Sequence, residues 1–130
     1  MTNLTPDQID KLTNQFLSLA KSLSRYRFEH WNTLTSGQRT LLGDLIQNIL
    51  HKTEDILAAA TLLLMNEAQS SIDQLQHVTD EMDHAIEKLG SVQKAINVAG
   101  AVISLGRSIL LQNPDDITAS LKALIDAWKQ

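Results

Sequence analysis

The sequence contains no cysteine, which excludes disulfides, thiolate metal sites, iron–sulfur clusters and cysteine nucleophiles. Turn-forming residues are scarce, with two prolines and five glycines in 130 residues, and aromatic residues make up only 4%. A sheet protein of this length needs more turns and more β-branched and aromatic side chains. Since leucine, alanine and other helix formers fill the chain instead, the composition predicts an all-α fold. The length suits a single domain, 1–130.

Charge is distributed unevenly along the chain, although the net value is only −4. Residues 53–91 carry eight acidic side chains against Lys88 alone, a local balance of −7. This acidic stretch is a candidate surface for a protein partner. Nucleic acid is not expected as a partner, because phosphate binding needs a concentrated basic face and the sequence has none.

Apolar residues near the N-terminus follow helical spacing. Thr5 and Pro6 form a helix-start signal, and Gln8 completes the spacing of a capping box. The apolar positions that follow alternate steps of three and four, which indicates the seam of a helix packed along its length. These positions are Ile9, Leu12, Phe16, Leu19, Leu23, Tyr26 and His30. We therefore predict a first helix over 6–32.

Two further apolar stripes follow, and they are out of phase with each other. Thr35 with Gln38 repeats the capping-box spacing and predicts the start of a second helix. The step from Leu63 at the end of one stripe to Ala68 at the start of the next is five residues. Such a phase slip indicates a turn at 66–71 or a stutter in one long helix.

We accordingly predict a second helix over 36–66 and a third over 70–111. One alternative is a continuous helix over 35–89, because the segment around the phase slip contains neither glycine nor proline. The other is a break at Gly90, where a glycine stop precedes a serine that can cap a new helix.

The last helix is predicted over 114–129, since Asn113 and Pro114 supply a cap and a first helical position. The fold class is therefore all-α, an antiparallel bundle of about four helices, some of them long and coiled-coil-like. A helix over 70–111 would reach about 60 Å, so it must bend at Gly90 or pack against a second chain. Because the seams are continuous, we predict a homo-oligomer.

Residues 95–106 form the most unusual stretch, because it has no charge and is apolar nearly all round. Gly100, Ser104, Gly106 and Ser108 supply small side chains in or just after it, which suits close helix packing or a membrane segment. A membrane span needs about 20 apolar residues. A buried core helix is therefore favoured, and contact with a membrane is the alternative.

Residues 95–106, followed by 113–117, resemble the helical pore-forming toxins, which combine long helices with one small-residue apolar segment. The resemblance covers only this stretch and rests on composition rather than on a diagnostic motif. It implies a membrane-active bundle that exposes residues 95–111 to lipid. No functional residue is carried over from it.

Glu81 and His84 match the Glu-x-x-His element with which some helical bundles hold di-iron sites. Such a site needs two copies of the element and two further glutamates, whereas the sequence has one copy. We therefore favour a solvated acidic face and predict no metal site and no cofactor. Metal capture by these two residues is the alternative.

Tyr26, Phe28, His30 and Trp31 place three aromatic rings and a histidine near the end of the first predicted helix. Tyr26 and His30 belong to the apolar seam, whereas Phe28 and Trp31 are expected to cover a neighbouring helix or a partner chain. We predict these four residues as an interface. A histidine in a seam is usually packed with one nitrogen hydrogen-bonded, and the alternative is a pH-sensitive contact.

The sequence contains no recognisable catalytic machinery. It has no nucleophile elbow, no phosphate-binding glycine loop and no dinucleotide fingerprint. We therefore predict a non-enzymatic helical interaction or assembly module that self-associates through helix seams, with the membrane-active bundle as the alternative. The first residues lack the basic start and apolar run of a signal peptide, so a cytoplasmic location is expected.

Overall fold

The computed structural model describes residues 6–59, 77, 80, 91–111 and 114–129. Four α-helices are described along their length, His77 and Asp80 are also helical, and no strand lies in the described part of the chain, so the predicted all-α bundle is confirmed. The helices are α1 (Pro6–Glu29), α2 (Ser36–Ala58), α3 (Val92–Leu111) and α4 (Pro114–Lys129), with a short 3₁₀ helix at Trp31–Thr33.

The start of α2 agrees with the sequence prediction. Gln38 N donates to Thr35 Oγ1 at 3.1 Å, and Thr35 N donates to Gln38 Oε1 at 2.9 Å, so the capping box is complete. α1 ends at Glu29 rather than at 32, because the 3₁₀ helix follows it and leads the chain into α2. The predicted cap residues Thr5 and Asn113 lie outside the described residues.

The end of α2 differs from the prediction. The helix ends at Ala58, and Ala59 leaves the helix with its N–H still bonded to Asp55 O at 3.0 Å. A second helix over 36–66 and a continuous helix over 35–89 are therefore both wrong. The apolar spacing misled here because it records which side chains are buried, and the same spacing can continue past a backbone turn.

The third predicted helix also begins elsewhere. α3 starts at Val92, and Lys94 N donates to the Ser91 side chain at 3.2 Å, so Ser91 caps it. A single helix over 70–111 is wrong, and the serine cap after Gly90 was the better signal. α3 is only about 30 Å long. A second chain is therefore no longer needed to cover a helix of about 60 Å. The alternative turn at 66–71 lies outside the described residues.

The described helices pack in chain order, α1 on α2, α2 on α3 and α3 on α4. Their shared core includes the seam of α1, from which Phe16, Leu19, Leu23 and Tyr26 are each at most 2% exposed. The remaining core is mostly aliphatic. It contains Leu42, Ile46, Ile49, Ile56, Val98, Val102, Leu105, Ile109, Ile117, Leu121 and Leu124.

Gly106 allows three helices to approach one another closely. A Cβ atom at this position would lie 3.2 Å from Lys52 Cβ on α2 and 3.5 Å from Phe16 Cε1 on α1. Lys52 Cβ is attached directly to the α2 backbone and has little freedom to move. The small residue on α3 therefore fixes how tightly α1, α2 and α3 pack.

Candidate interaction site

The last turn of α1 separates two aromatic residues onto opposite faces. Tyr26 points into the core and is 2% exposed, whereas Phe28 is 79% exposed. Residues two apart on a helix differ by about 200° in direction, so burying one of them turns the other outward. Phe28 is the most exposed of the large apolar side chains in the described part of the chain.

Trp31 lies beside Phe28, in the 3₁₀ helix, and two arginines stack on its ring. The guanidinium carbons of Arg27 and Arg39 are 4.8 Å and 4.6 Å from the ring centroid. Arg39 Nε also donates to Trp31 O, and Arg27 Nε donates to Arg39 O, both at 2.8 Å. These contacts join α1, the 3₁₀ helix and α2, and they hold a 40% exposed indole ring in one place.

Gly43 makes room for this arrangement. A Cβ atom at Gly43 would lie 3.2 Å from Arg27 Nη2 and 3.3 Å from its guanidinium carbon. An alanine at this position would require the Arg27 guanidinium to shift by a few tenths of an ångström. Arg39 and Gly43 were not among the predicted site residues. No local pattern marks them in the sequence, because their contacts join α2 to the end of α1.

Phe28, Glu29, Trp31 and Asn32 line an open hollow of about 620 Å³ on the surface. We name these four residues together with Arg27 and Arg39 the aromatic–arginine corner. Its charged groups are two guanidinium groups and one carboxylate. The corner can receive an apolar side chain in the hollow and accept carboxylate groups beside it.

Tyr26 and His30 lie behind the corner. Their rings stack with centroids 4.1 Å apart at 21°, and His30 Nδ1 is 3.0 Å from Tyr26 O. Because a carbonyl oxygen only accepts hydrogen bonds, this ring nitrogen carries the proton. Burial raises the pKa of the Tyr26 phenol above 10.0. Of the four predicted interface residues, the structure thus brings Phe28 and Trp31 to the surface, Tyr26 to the core and His30 between them.

The small residues of α3 do not form a single surface. A Cβ atom at Gly100 would meet nothing within 4 Å among the described residues, and Ser104 is exposed. Gly106 is buried against α1 and α2, as described above. Ser108 Oγ lies 2.7 Å from Ser120 Oγ on α4 and donates to Ser104 O at 2.9 Å. These four residues therefore face solvent, two neighbouring helices and α4.

Val92–Leu111 is the one helix in the described part of the chain that has the length and apolarity to cross a membrane. Its mean hydropathy is 1.4, and half of the apolar window is buried against the rest of the protein. Core helices of soluble proteins commonly have these properties. The outward side of α3 carries Gln93, Asn97, Ser104 and Arg107.

The acidic stretch 53–91 is described only in part. Glu81 and His84 lie outside the described residues, and the described part contains no group of three His, Asp or Glu side chains placed to hold a metal ion. At the end of α2, Glu54 and Asp55 are exposed, and Leu57 beside them is 58% exposed. We name Glu54 and Leu57, which share one side of the helix, the acidic α2 end.

Comparison with known protein families, with curated proteins and with solved structures finds no match to this chain. Its own surface is therefore the basis on which a function is assigned. Two features of that surface stand out in the described part of the chain. They are the aromatic–arginine corner and the acidic α2 end.

Proposed function

We propose that this protein is a non-enzymatic helical interaction module that self-associates, and that the aromatic–arginine corner is its contact surface. The observation that supports this most directly is Phe28, 79% exposed beside an indole ring that two arginines hold in place. Phenylalanine, tryptophan and arginine are enriched at the centres of protein interfaces. Burying an exposed phenylalanine side chain contributes about 1.5–3 kcal/mol.

The fixed position of Trp31 favours binding for a second reason. A side chain that is ordered only on association loses about 0.5–1.5 kcal/mol of conformational entropy at that moment. Trp31 is already held by its backbone contact to Arg39 and by the two stacked guanidinium groups. Most of this cost is therefore absent when a partner binds the corner.

The α1 seam is not the surface through which self-association is proposed, because its side chains already pack inside the chain. Phe16, Leu19 and Leu23 of that seam are fully buried within the chain and offer nothing to a second copy. The proposal therefore moves the contact from the seam to the end of α1. The corner also has no nucleophile with a general base beside it, which supports a binding role over a catalytic one.

We extend the proposal to the antiparallel order of α1 and α2. Arg27, near the end of α1, contacts Gly43, near the start of α2. Phe16, in the middle of α1, meets Lys52, near the end of α2, at Gly106. Later residues of one helix thus accompany earlier residues of the other, which supports opposite chain directions.

A membrane-active bundle is the second candidate, and the length and hydropathy of α3 favour it. Against it, the side of α3 that faces solvent is polar except for Leu111 and includes Arg107, a residue that costs about 2.5–3.5 kcal/mol at the centre of a membrane helix. Insertion would also have to expose the core side of α3. Flotation with liposomes of neutral and of anionic lipid tests it, and binding with dye release would favour this candidate over the first.

Analytical ultracentrifugation of the wild type, Phe28→Ser and Leu111→Ser tests the interaction module. Leu111 is a matched control, because it is 67% exposed and lies on α3. The weight-average mass of the wild type and of Leu111→Ser should rise with concentration into the high micromolar range. Phe28→Ser should weaken association about 10–100-fold, the equivalent of the lost apolar burial. A wild type that stays monomeric would contradict the proposed function.

A further inference from the structure

We propose that copies of this chain associate head to tail, with the aromatic–arginine corner of one copy receiving the acidic α2 end of the next. This inference rests on the proposed function and adds to it the identity of the bound surface. The two surfaces differ in character: one carries aromatic rings, two guanidinium groups and the Glu29 carboxylate, the other an aliphatic side chain and the Glu54 carboxylate.

The acidic α2 end combines charge with an exposed apolar side chain. Leu57 is 58% exposed, which is more than Leu41, the other large exposed apolar residue of α2 at 43%. Glu54 lies three residues before Leu57 and shares its side of the helix, whereas Asp55, two residues before Leu57, points to the other side. A surface that docks this end therefore needs an apolar hollow with cationic groups at its edge.

The aromatic–arginine corner has that complementary form. Its hollow is lined by Phe28, Glu29, Trp31 and Asn32 and has room for a leucine side chain, and the two guanidinium groups on Trp31 outnumber the single Glu29 carboxylate. Arg27 and Arg39 use their Nε groups for backbone carbonyls at 2.8 Å, and their terminal nitrogens are the groups that bind a carboxylate.

The two surfaces belong to the same chain but are too far apart to meet within it. Leu57 lies 18 residues after Arg39 on the uninterrupted helix α2. At about 1.5 Å per residue this separation is about 27 Å. Complementary surfaces at the two ends of one helix can be satisfied only by different copies.

A symmetric contact between two corners is electrostatically less favourable. It would bring four guanidinium groups together against two Glu29 carboxylates, and juxtaposed like charges oppose association. The head-to-tail contact instead places arginines opposite Glu54, on the side of α2 that carries Leu57. A contact between two different surfaces leaves one of each exposed, so it builds an open chain or a closed ring rather than stopping at a dimer.

A mixing experiment tests the head-to-tail contact. Phe28→Ser disables the corner and leaves the acidic α2 end intact, whereas Glu54→Lys with Leu57→Ser does the reverse. Each variant alone should lose association about 10-fold or more, while the wild type forms species larger than dimers. An equimolar mixture of the two variants should form a one-to-one heterodimer and nothing larger, because only one functional contact remains. Formation of that heterodimer also shows that both variants are folded.

The control is Leu111→Ser with Asp126→Lys, which makes the same two kinds of change at exposed positions outside α2. It should associate as the wild type does. If Phe28→Ser is monomeric while Glu54→Lys with Leu57→Ser still associates, the corner is the contact surface but the head-to-tail arrangement is wrong. If the wild type associates and neither variant weakens it, the corner itself is the wrong surface and both proposals are wrong.

Discussion

α3 buries much of its apolar surface, whereas the aromatic–arginine corner leaves its apolar side chains exposed. α3 is the most apolar of the described helices, and half of its apolar window is buried among α1, α2 and α4. The corner belongs to a less apolar region, yet it leaves Phe28 and Trp31 on the surface. Mean hydropathy therefore indicates how much of a helix can be buried, whereas the direction of each side chain decides which residues remain available to a partner.

The largest expected effect comes from removing a core side chain of α3. Leu105 is fully buried, so Leu105→Ala should lower the free energy of unfolding by about 2–5 kcal/mol. Leu111→Ala, on the same helix but 67% exposed, should change it by less than about 0.5 kcal/mol. Urea denaturation of both variants measures the difference. Equal losses of unfolding free energy would mean that Leu111 is buried in solution. The assignment of Leu111 to the surface and Leu105 to the core would then be wrong.

The two glycines of α3 sharpen the comparison within one helix. Gly100→Ala places a methyl group where no described residue lies within 4 Å, so the free energy of unfolding should rise by about 0.5–1 kcal/mol from better helix propensity. Gly106→Ala meets Lys52 Cβ at 3.2 Å and Phe16 Cε1 at 3.5 Å. Overpacking of this kind costs about 1–3 kcal/mol and should outweigh the same propensity gain. Thermal and urea unfolding measure the stability of both variants. A higher free energy of unfolding for both would contradict the close packing at Gly106.

A smaller loss is expected where α2 begins, on the connection that positions Trp31 and Arg39. Thr35→Ala removes the capping box and should lower the free energy of unfolding by about 1 kcal/mol. Thr40→Ala, an exposed threonine inside α2, is the matched control and should cost less than about 0.5 kcal/mol. Chemical denaturation followed by circular dichroism compares the two. Indistinguishable variants would show that the cap contributes little to the connection.

The contrast between this cap and the helix ends shows what sequence reasoning could reach. Thr35 with Gln38 predicted the start of α2 correctly, because a capping box is a local signal that fixes two hydrogen bonds. The end of α2 at Ala58 has no such signal, and the apolar spacing simply continues. At Gly90-Ser91 the local signal was present and indicated the start of α3 at Val92. The apolar spacing instead predicted a helix over 70–111, which is wrong. Local capping chemistry was therefore the more reliable guide to boundaries.

For the candidate site, the sequence identified the residues but not their arrangement. Phe28 and Trp31 were singled out as aromatic residues outside the main seam, and the structure places both at the surface. The contributions of Arg39 and Gly43 depend on α2 folding back beside the end of α1. A contact between residues that are distant in sequence has no local pattern, so composition and spacing could not reveal it.

The last prediction concerns Tyr26, the buried counterpart of Phe28, and its effect is absent at neutral pH. It is the only tyrosine, so phenolate absorbance reports on this side chain alone. In the folded protein its titration midpoint should lie above 10.0, because burial disfavours the charged form, and denaturation should return the midpoint to about 10. The unfolded chain then releases the proton at lower pH than the folded chain, so the free energy of unfolding should fall as the pH rises beyond 10. Tyr26→Phe should lose that part of the alkaline dependence. A midpoint unchanged by denaturation would show that Tyr26 is solvated. It would contradict the placement of Tyr26 in the core and Phe28 on the surface.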